Sequence, residues 1–419
     1  MGLKRLTRQA GRILFALLLL TGAVLTGGLT ALGARTSAVA SPVPTETETG
    51  SLTAMLGRLP DRPLGLDGAM VTYADVARQT TVLGVDAPGA GGDVEGGQRW
   101  IAAVTPLSLP QATGQHWTLP EWRAAFGFDL FQVEQAVEYG APPFGLTVLR
   151  GTFDPGELRT AWARGGYQLI DLGGGEAYAV REDFEIDFSD PGSRMALGYL
   201  NVVALADDGT LIFGSTRDGV RGALAAVAGT EPSFAGRADV APLLGAAPPD
   251  LVSALLLDGE LLRAVADPAG AFLGDESPQD FATRVAEEQV EARRLPPVAA
   301  ALLGQTAGLI ADGNQMATPE AIPTGPARLA VVLSTINPDA AEKSATVIAE
   351  RLATGRTPAL LGGEVADRPW SELFPERTAR AVSGESAVLI ELVPAPGVRP
   401  LILQEMLFQR MPGFLAWEW

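Results

Sequence analysis

The chain has 419 residues, of which 47% are hydrophobic and 19% charged, with no cysteine, one histidine and a net charge of −18 at pH 7. That composition belongs to a folded globular chain rather than a disordered one. It excludes a disulfide scaffold and every thiolate metal site, and its acidity argues against nucleic acid and anionic lipid headgroups as partners.

The first element is an export segment. Lys4, Arg5, Arg8 and Arg12 form a basic front, and no acid precedes Glu46. Residues 13–32 are all apolar, Gly or Thr, and Ala38 and Ala40 then stand at the two small-residue positions that a signal peptidase reads. These three parts make a secretory signal. The apolar run also reaches the ~20 residues of a spanning helix, so residues 1–40 read either as a cleaved signal or as a retained membrane anchor. Both send the remainder of the chain out of the cytoplasm. Residues 1–40 carry five cations and no acid, so the charge of −18 becomes −23 without them. Residues 41–50, SPVPTETETG, are a flexible spacer.

The roughly 370 residues that follow allow about two domains at ~150 residues each. The expected division is 51–243 and 244–419. His116 comes early, in Gly114-Gln115-His116-Trp117. As the sole histidine it cannot build a two-histidine zinc site, and no GxSxG elbow accompanies it. It reads as a loop residue.

Leu146 to Arg159 reads LTVLRGTFDPGELR, and Leu329 to Glu342 reads LAVVLSTINPDAAE. Each is an apolar strand leading to Asp/Asn-Pro and a helix. Asp154 and Asn337 are the expected helix N-caps, each followed by Pro at the first helical position. Glu157 should complete a capping box with Asp154. The repetition predicts an internal duplication. Strands are expected on either side of Gly173-Gly174-Gly175 and of Asp207-Asp208-Gly209. Ser215 is the expected cap of a helix running to about Val227, ended by Gly229. A helix follows Ser277, a strand covers Ala387–Val393, and a helix covers Leu401–Arg410. The predicted fold is α+β: two related halves, each a mainly antiparallel sheet with helices packed on one face.

The most unusual segment is Glu182 to Asp190, EDFEIDFSD. On a strand, Asp183, Glu185 and Asp187 would share one face and Phe184, Ile186 and Phe188 the other. Such a face reads as a charged sheet edge, or as an acidic patch for Ca²⁺ or a cationic ligand. The EF-hand pattern fails, because Phe188 stands at its Gly position and Arg194 at its Glu. A glycosidase pair of carboxylates is the other reading. Seven Trp, including Trp417 and Trp419, are expected mainly in the core.

The signal segment, the spacer, Val71-Thr72-Tyr73-Ala74-Asp75 and the two strand–FDP/NPD–helix units together resemble uncharacterised exported proteins of high-GC bacteria. The resemblance implies no activity, cofactor or site residue. The resulting expectation is an extracytoplasmic module, secreted or tethered, that binds an envelope or protein partner without a cofactor. The alternatives are a carboxylate-based hydrolase and a structural envelope component.

Overall fold

In the computed structural model, the described residues are 51–62, 70–88, 94–105, 107–110, 120–141, 144–189, 195–259, 261–262, 293–307, 327–357, 368–396 and 398, with single positions between 277 and 290. Ala38, Ala40, His116, residues 401–410, Trp417 and Trp419 lie outside them. Among the described residues no helix is long and apolar enough to cross a membrane.

In chain order the first helices and strands are α1 (Ser51–Leu56), β1 (Met70–Asp75), α2 (Val76–Val82), α3 (Val94–Val104), α4 (Pro120–Phe126), β2 (Val133–Ala141) and β3 (Phe144–Gly151). Helix α5 (Pro155–Arg164) leads to β4 (Gln168–Ile170), β5 (Gly175–Ala179), β6 (Val202–Ala206) and β7 (Leu211–Gly214). Next come α6 (Arg217–Val227), α7 (Ala241–Ala246), β8 (Leu251–Asp258), β9 (Val298–Thr306) and β10 (Leu329–Thr335). The last are α8 (Pro338–Thr354), α9 (Trp370–Leu373), β11 (Glu376–Ala381) and β12 (Ala387–Val393).

The twelve strands among the described residues join one sheet in the order β11-β12-β10-β9-β8-β1-β2-β3-β7-β6-β5-β4. Every pairing is antiparallel. The protein is therefore a mixed α/β molecule built on a large antiparallel sheet. The joint near residue 244 does not interrupt it, because β1 pairs with β8 from Met70↔Leu257 to Ala74↔Ser253.

The expectation of helices on one face is corrected: they cover both. Val71 and Tyr73 of β1 join one core with Leu256, Leu302 and Val332, roofed by α1, α6 and α7. The opposite face carries two further cores. Ala74, Ala136 and Leu149 pack there against Trp100 of α3, Trp122 of α4 and Trp162 of α5. Leu255, Leu303 and Val331 pack beside them against Ile348 of α8 and Trp370 of α9. The physical reason lies in the central strands. LVSALLL of β8 and LAVVLST of β10 are buried throughout, with no polar alternation. Continuous apolar strands need cover on both sides, a pattern more familiar from parallel sheets.

Local chemistry sets the helix starts. Asp154 Oδ1 accepts from the N–H groups of Gly156 and Glu157 at 2.6 and 3.1 Å, and Asn337 Oδ1 accepts from Ala340 N–H at 2.8 Å. The expected capping box does not use Glu157, whose carboxylate accepts from Arg123 at 2.8 Å. Ser215 is also corrected. Thr216 caps α6, accepting from Gly219 N–H at 3.1 Å, while Ser215 Oγ accepts from Gly145 N–H at 3.3 Å. Gln279, Thr283, Ala286 and Val290 are helical, in the segment expected to be a helix after Ser277.

Candidate functional site

The acidic segment is not a strand. Residues 181–189 form turns and bends between β5 and β6, and Phe184 has φ 64°, a left-handed conformation foreign to strands. Competing partners explain the departure. Asn201 Nδ2 donates to the carbonyls of Glu182 and Glu185 at 3.0 and 2.8 Å, and Phe184 N–H donates to Ser215 O at 3.1 Å. These bonds curl the segment against the start of α6 instead of laying it along a neighbouring strand.

Asp183, Glu185 and Asp187 consequently do not share a face as metal ligands would. Asp183 Oδ1 accepts from both the backbone N–H and the guanidinium of Arg217, each at 3.0 Å. That guanidinium also donates to Glu182 at 3.2 Å. Glu185 accepts from Glu182 N–H at 3.2 Å. Asp187 accepts from Ser189 Oγ at 2.6 Å, from Ser189 N–H at 2.9 Å and from Arg181 at 3.3 Å. The Ser189 hydroxyl, then its N–H, then Arg181 hold the Asp187 carboxyl below its usual range. Among the described residues no three histidine or carboxylate side chains are grouped to hold a metal ion.

Beside these carboxylates the segment also presents apolar side chains outward. Phe184, Ile186 and Phe188 are 42%, 38% and 67% exposed, and Leu197, in the turn before β6, is 40% exposed. Gly198 has φ 79°, and a Cβ there would press on Ile186 Cγ1 at 3.2 Å and on Glu185 O at 3.1 Å, so the two arms of the loop lie in contact. Leu197 also has a left-handed φ, 47°. Two non-glycine residues in this sparsely populated region mark a loop whose surroundings over-determine its shape.

A second locus lies inside the molecule, on the face shared by the two tryptophan-containing cores. Following the register from strand to strand gives one row of facing residues. From Ile390 it runs Val331, Leu303, Leu255, Thr72, Glu138, Thr147, Phe213 and Val203. The row is apolar at both ends and polar at three consecutive central positions. Thr72, Glu138 and Thr147 are all buried. Tyr199, also buried, approaches Glu138 from the turn at residues 197–200. A Cβ on Gly145 would overlap the Tyr199 ring, so only glycine lets the phenol lie against β3. Burial, then the charge of Glu138, push the Tyr199 phenol far up from its ordinary value. The hydroxyls of Thr72, Thr147 and Tyr199 are buried without a hydrogen-bond partner in the protein.

Sequence reasoning missed this locus. Glu138 stands in VEQAVEYGA, where its alternation with Val137 and Tyr139 reads as an exposed face. Thr72 and Thr147 are ordinary strand residues. Only the pairing of three separate strands brings them together. No family model, curated protein or solved structure matches the chain.

Proposed function

We propose that this protein is an extracytoplasmic binding module, secreted or held at the membrane by residues 1–40, which docks a protein of the cell envelope through the surface of residues 181–189 and Leu197. The supporting observation is the exposed apolar group Phe184, Ile186, Phe188 and Leu197 on a loop braced from below. Exposed apolar side chains gathered in one segment and flanked by polar ones are a usual mark of a protein contact. The rim is acidic: Glu182, Asp183, Glu185 and Asp187 outnumber Arg181 and Arg217, and the chain carries −18 overall. A partner with an apolar centre and a basic border complements this surface, whereas an anionic bilayer would be repelled. Export is supported by the basic front, the apolar run and Ala38-Val39-Ala40. The resemblance to exported proteins of high-GC bacteria points the same way.

The test compares residues 41–419 with the double variant Phe184→Ser, Phe188→Ser as baits on envelope extracts. Partners retained by the parent and lost by the variant support the reading; equal retention by both sinks it. Fractionation and N-terminal sequencing test export. A start at Ser41 means release and an intact N-terminus in the membrane fraction means a tether, while a cytoplasmic pool of full-length chain would end the export reading.

We also propose that the two halves are related units. In the first, β1-β2-β3 is followed by α5, and the chain returns to place β7 beside β3. In the second, β8-β9-β10 is followed by α8, and the chain returns to place β12 beside β10. Helices α5 and α8 both lie on the face with the tryptophan-containing cores. The β4–β5 hairpin would then be an addition to the first unit. An experimental structure in which the two units fail to superpose would refute the duplication.

A further inference from the structure

We infer that the β11 edge of the sheet is a docking surface for a second copy of this chain, the two β11 strands pairing antiparallel about a two-fold axis at Thr378. Among the described residues β11 ends the sheet and pairs with β12 alone. The outer row of backbone N–H and C=O groups on such a strand is a template for another strand. Proteins blunt these edges by keeping them short, or with Pro, Lys or a bulge. The opposite edge of this sheet is blunted in the first way, because β4 has three residues. β11 has six, ERTARA, without Pro or Lys, and its register with β12 runs unbroken from Glu376↔Val393 to Ala381↔Val388.

The side chains select the occupant. Glu376, Thr378 and Arg380 are exposed on one face of the strand, while Ala379 and Ala381 pack on the other against the core that holds Ile348 of α8 and Trp370 of α9. Arg377 lies on that helix side, its Nε donating to Leu352 O of α8 at 3.0 Å. Glu376 and Arg380 form no ion pair with any described residue. Four residues apart on a strand, they stand about 13 Å from each other, too far to pair within one copy. A two-fold axis normal to the sheet carries each face onto itself, so opposed residues come from the same face. With the axis at Thr378, Glu376 meets Arg380 of the second copy, Arg380 meets its Glu376, and Thr378 meets Thr378. Arg377, tied down to α8, meets the small Ala379. Opposite charges and Thr–Thr pairs across strands stabilise a ladder, and like charges oppose it. Axes at Glu376, Arg377 or Arg380 set like charges face to face, and axes at Ala379 or Ala381 oppose no Glu of the strand to an Arg. The strand is self-complementary in one register, as an isologous dimer requires. The surface of residues 181–189 follows β5, toward the other end of the strand order, so this pairing leaves it open in both copies.

The absence of cysteine makes the register directly readable. Thr378→Cys in the full chain brings two thiols together on the axis, with α-carbons about 4.5–5.5 Å apart, within disulfide reach. Mild oxidation should convert it to a species of twice the chain mass that reductant reverses. Glu376→Cys and Arg380→Cys should each fail to link alone, being about 13 Å along the strand from their own counterparts, and should link when mixed. Sedimentation of the purified full chain should show its mass rising toward the dimer with concentration. Glu376→Arg and Arg380→Glu should each stay monomeric, and the two mixed should dimerise, because every like pair becomes an opposite pair. That rescue also shows that both variants fold. A parent that stays monomeric at its highest soluble concentration overturns the proposal. So does linking that is equal at all three positions, or a dimer indifferent to both charge reversals.

Discussion

Burial gives two tyrosines an alkaline signature. Burial, opposed by Arg237 and aided by Asp258 and Asp61, raises the Tyr139 phenol to about 12. Tyr199 moves in the same direction. A group whose folded-state value is raised stabilises the fold fully below its unfolded value, near 10, and loses that contribution as pH climbs through the folded value. Urea unfolding followed from pH 8 to about 12 should therefore show stability falling above about 10. Tyr139→Phe should remove part of that fall, while losing the 2.8 Å bond to Arg62 O. At the loop, the Arg217 guanidinium donates to both Glu182 and Asp183. These are partly exposed ion pairs, so Arg217→Ala should cost under about 1 kcal/mol of global stability. Its effect should be local: limited proteolysis between residues 182 and 189 should speed up at unchanged Tm.

At the level of elements, the turns and caps were the readable part of the sequence. Asp154, Asn337, the Gly173–Gly175 turn and the Asp207-Asp208-Gly209 turn depend on chemistry within a few residues of each other, and the structure uses all four. Asn337→Ala should cost about 1 kcal/mol by urea denaturation. Thr216→Ala should cost a similar amount, and a Ser215→Ala variant that lost helix α6 while Thr216→Ala did not would contradict the assignment. The choice between Ser215 and Thr216 was not legible, because both can cap and only the approach of β3 draws Ser215 away to Gly145. The acidic segment failed for the same kind of reason. Its alternation is real in sequence, but Asn201 and Arg217, distant in the chain, offer its backbone and carboxylates better partners than a strand would. Strands β2 and β11 mix charged and small residues, VEQAVEYGA and ERTARA, and acquire their identity only from neighbours in the sheet.

The whole molecule is governed by the continuity of the sheet. Because β1 and β8 are hydrogen-bonded neighbours, strands from before and after residue 244 share a core: Val71 and Tyr73 sit in the same cluster as Leu302 and Val332. Leu256→Ala, at the middle of that cluster, should cost about 2–5 kcal/mol. Loss of signal from Trp122 in the first half and from Trp370 in the second should occur at one denaturant concentration, in the parent and the variant alike. Two separated transitions would mean that the halves are energetically independent in spite of their common sheet. The apolar runs of β8 and β10 announce burial, but a run buried on both faces gives no period from which to tell how many layers cover it. That is why helices on one face were expected and helices on two were found.

The β1–β8 pairing also dictates the order in which the chain can mature. Residues 70–75 cannot complete their ladder until residues 251–257 exist and have emerged. Seven strands can assemble first, β1 to β7, but they do so with the apolar edge of β1 open. Contacts this distant in sequence slow folding, and an unpaired edge invites the wrong neighbour. The chain up to β7 is thus a half-finished template while β8 is still being made. A pause in synthesis just before Leu251 should leave this edge open longest, the point at which a holding chaperone would help most.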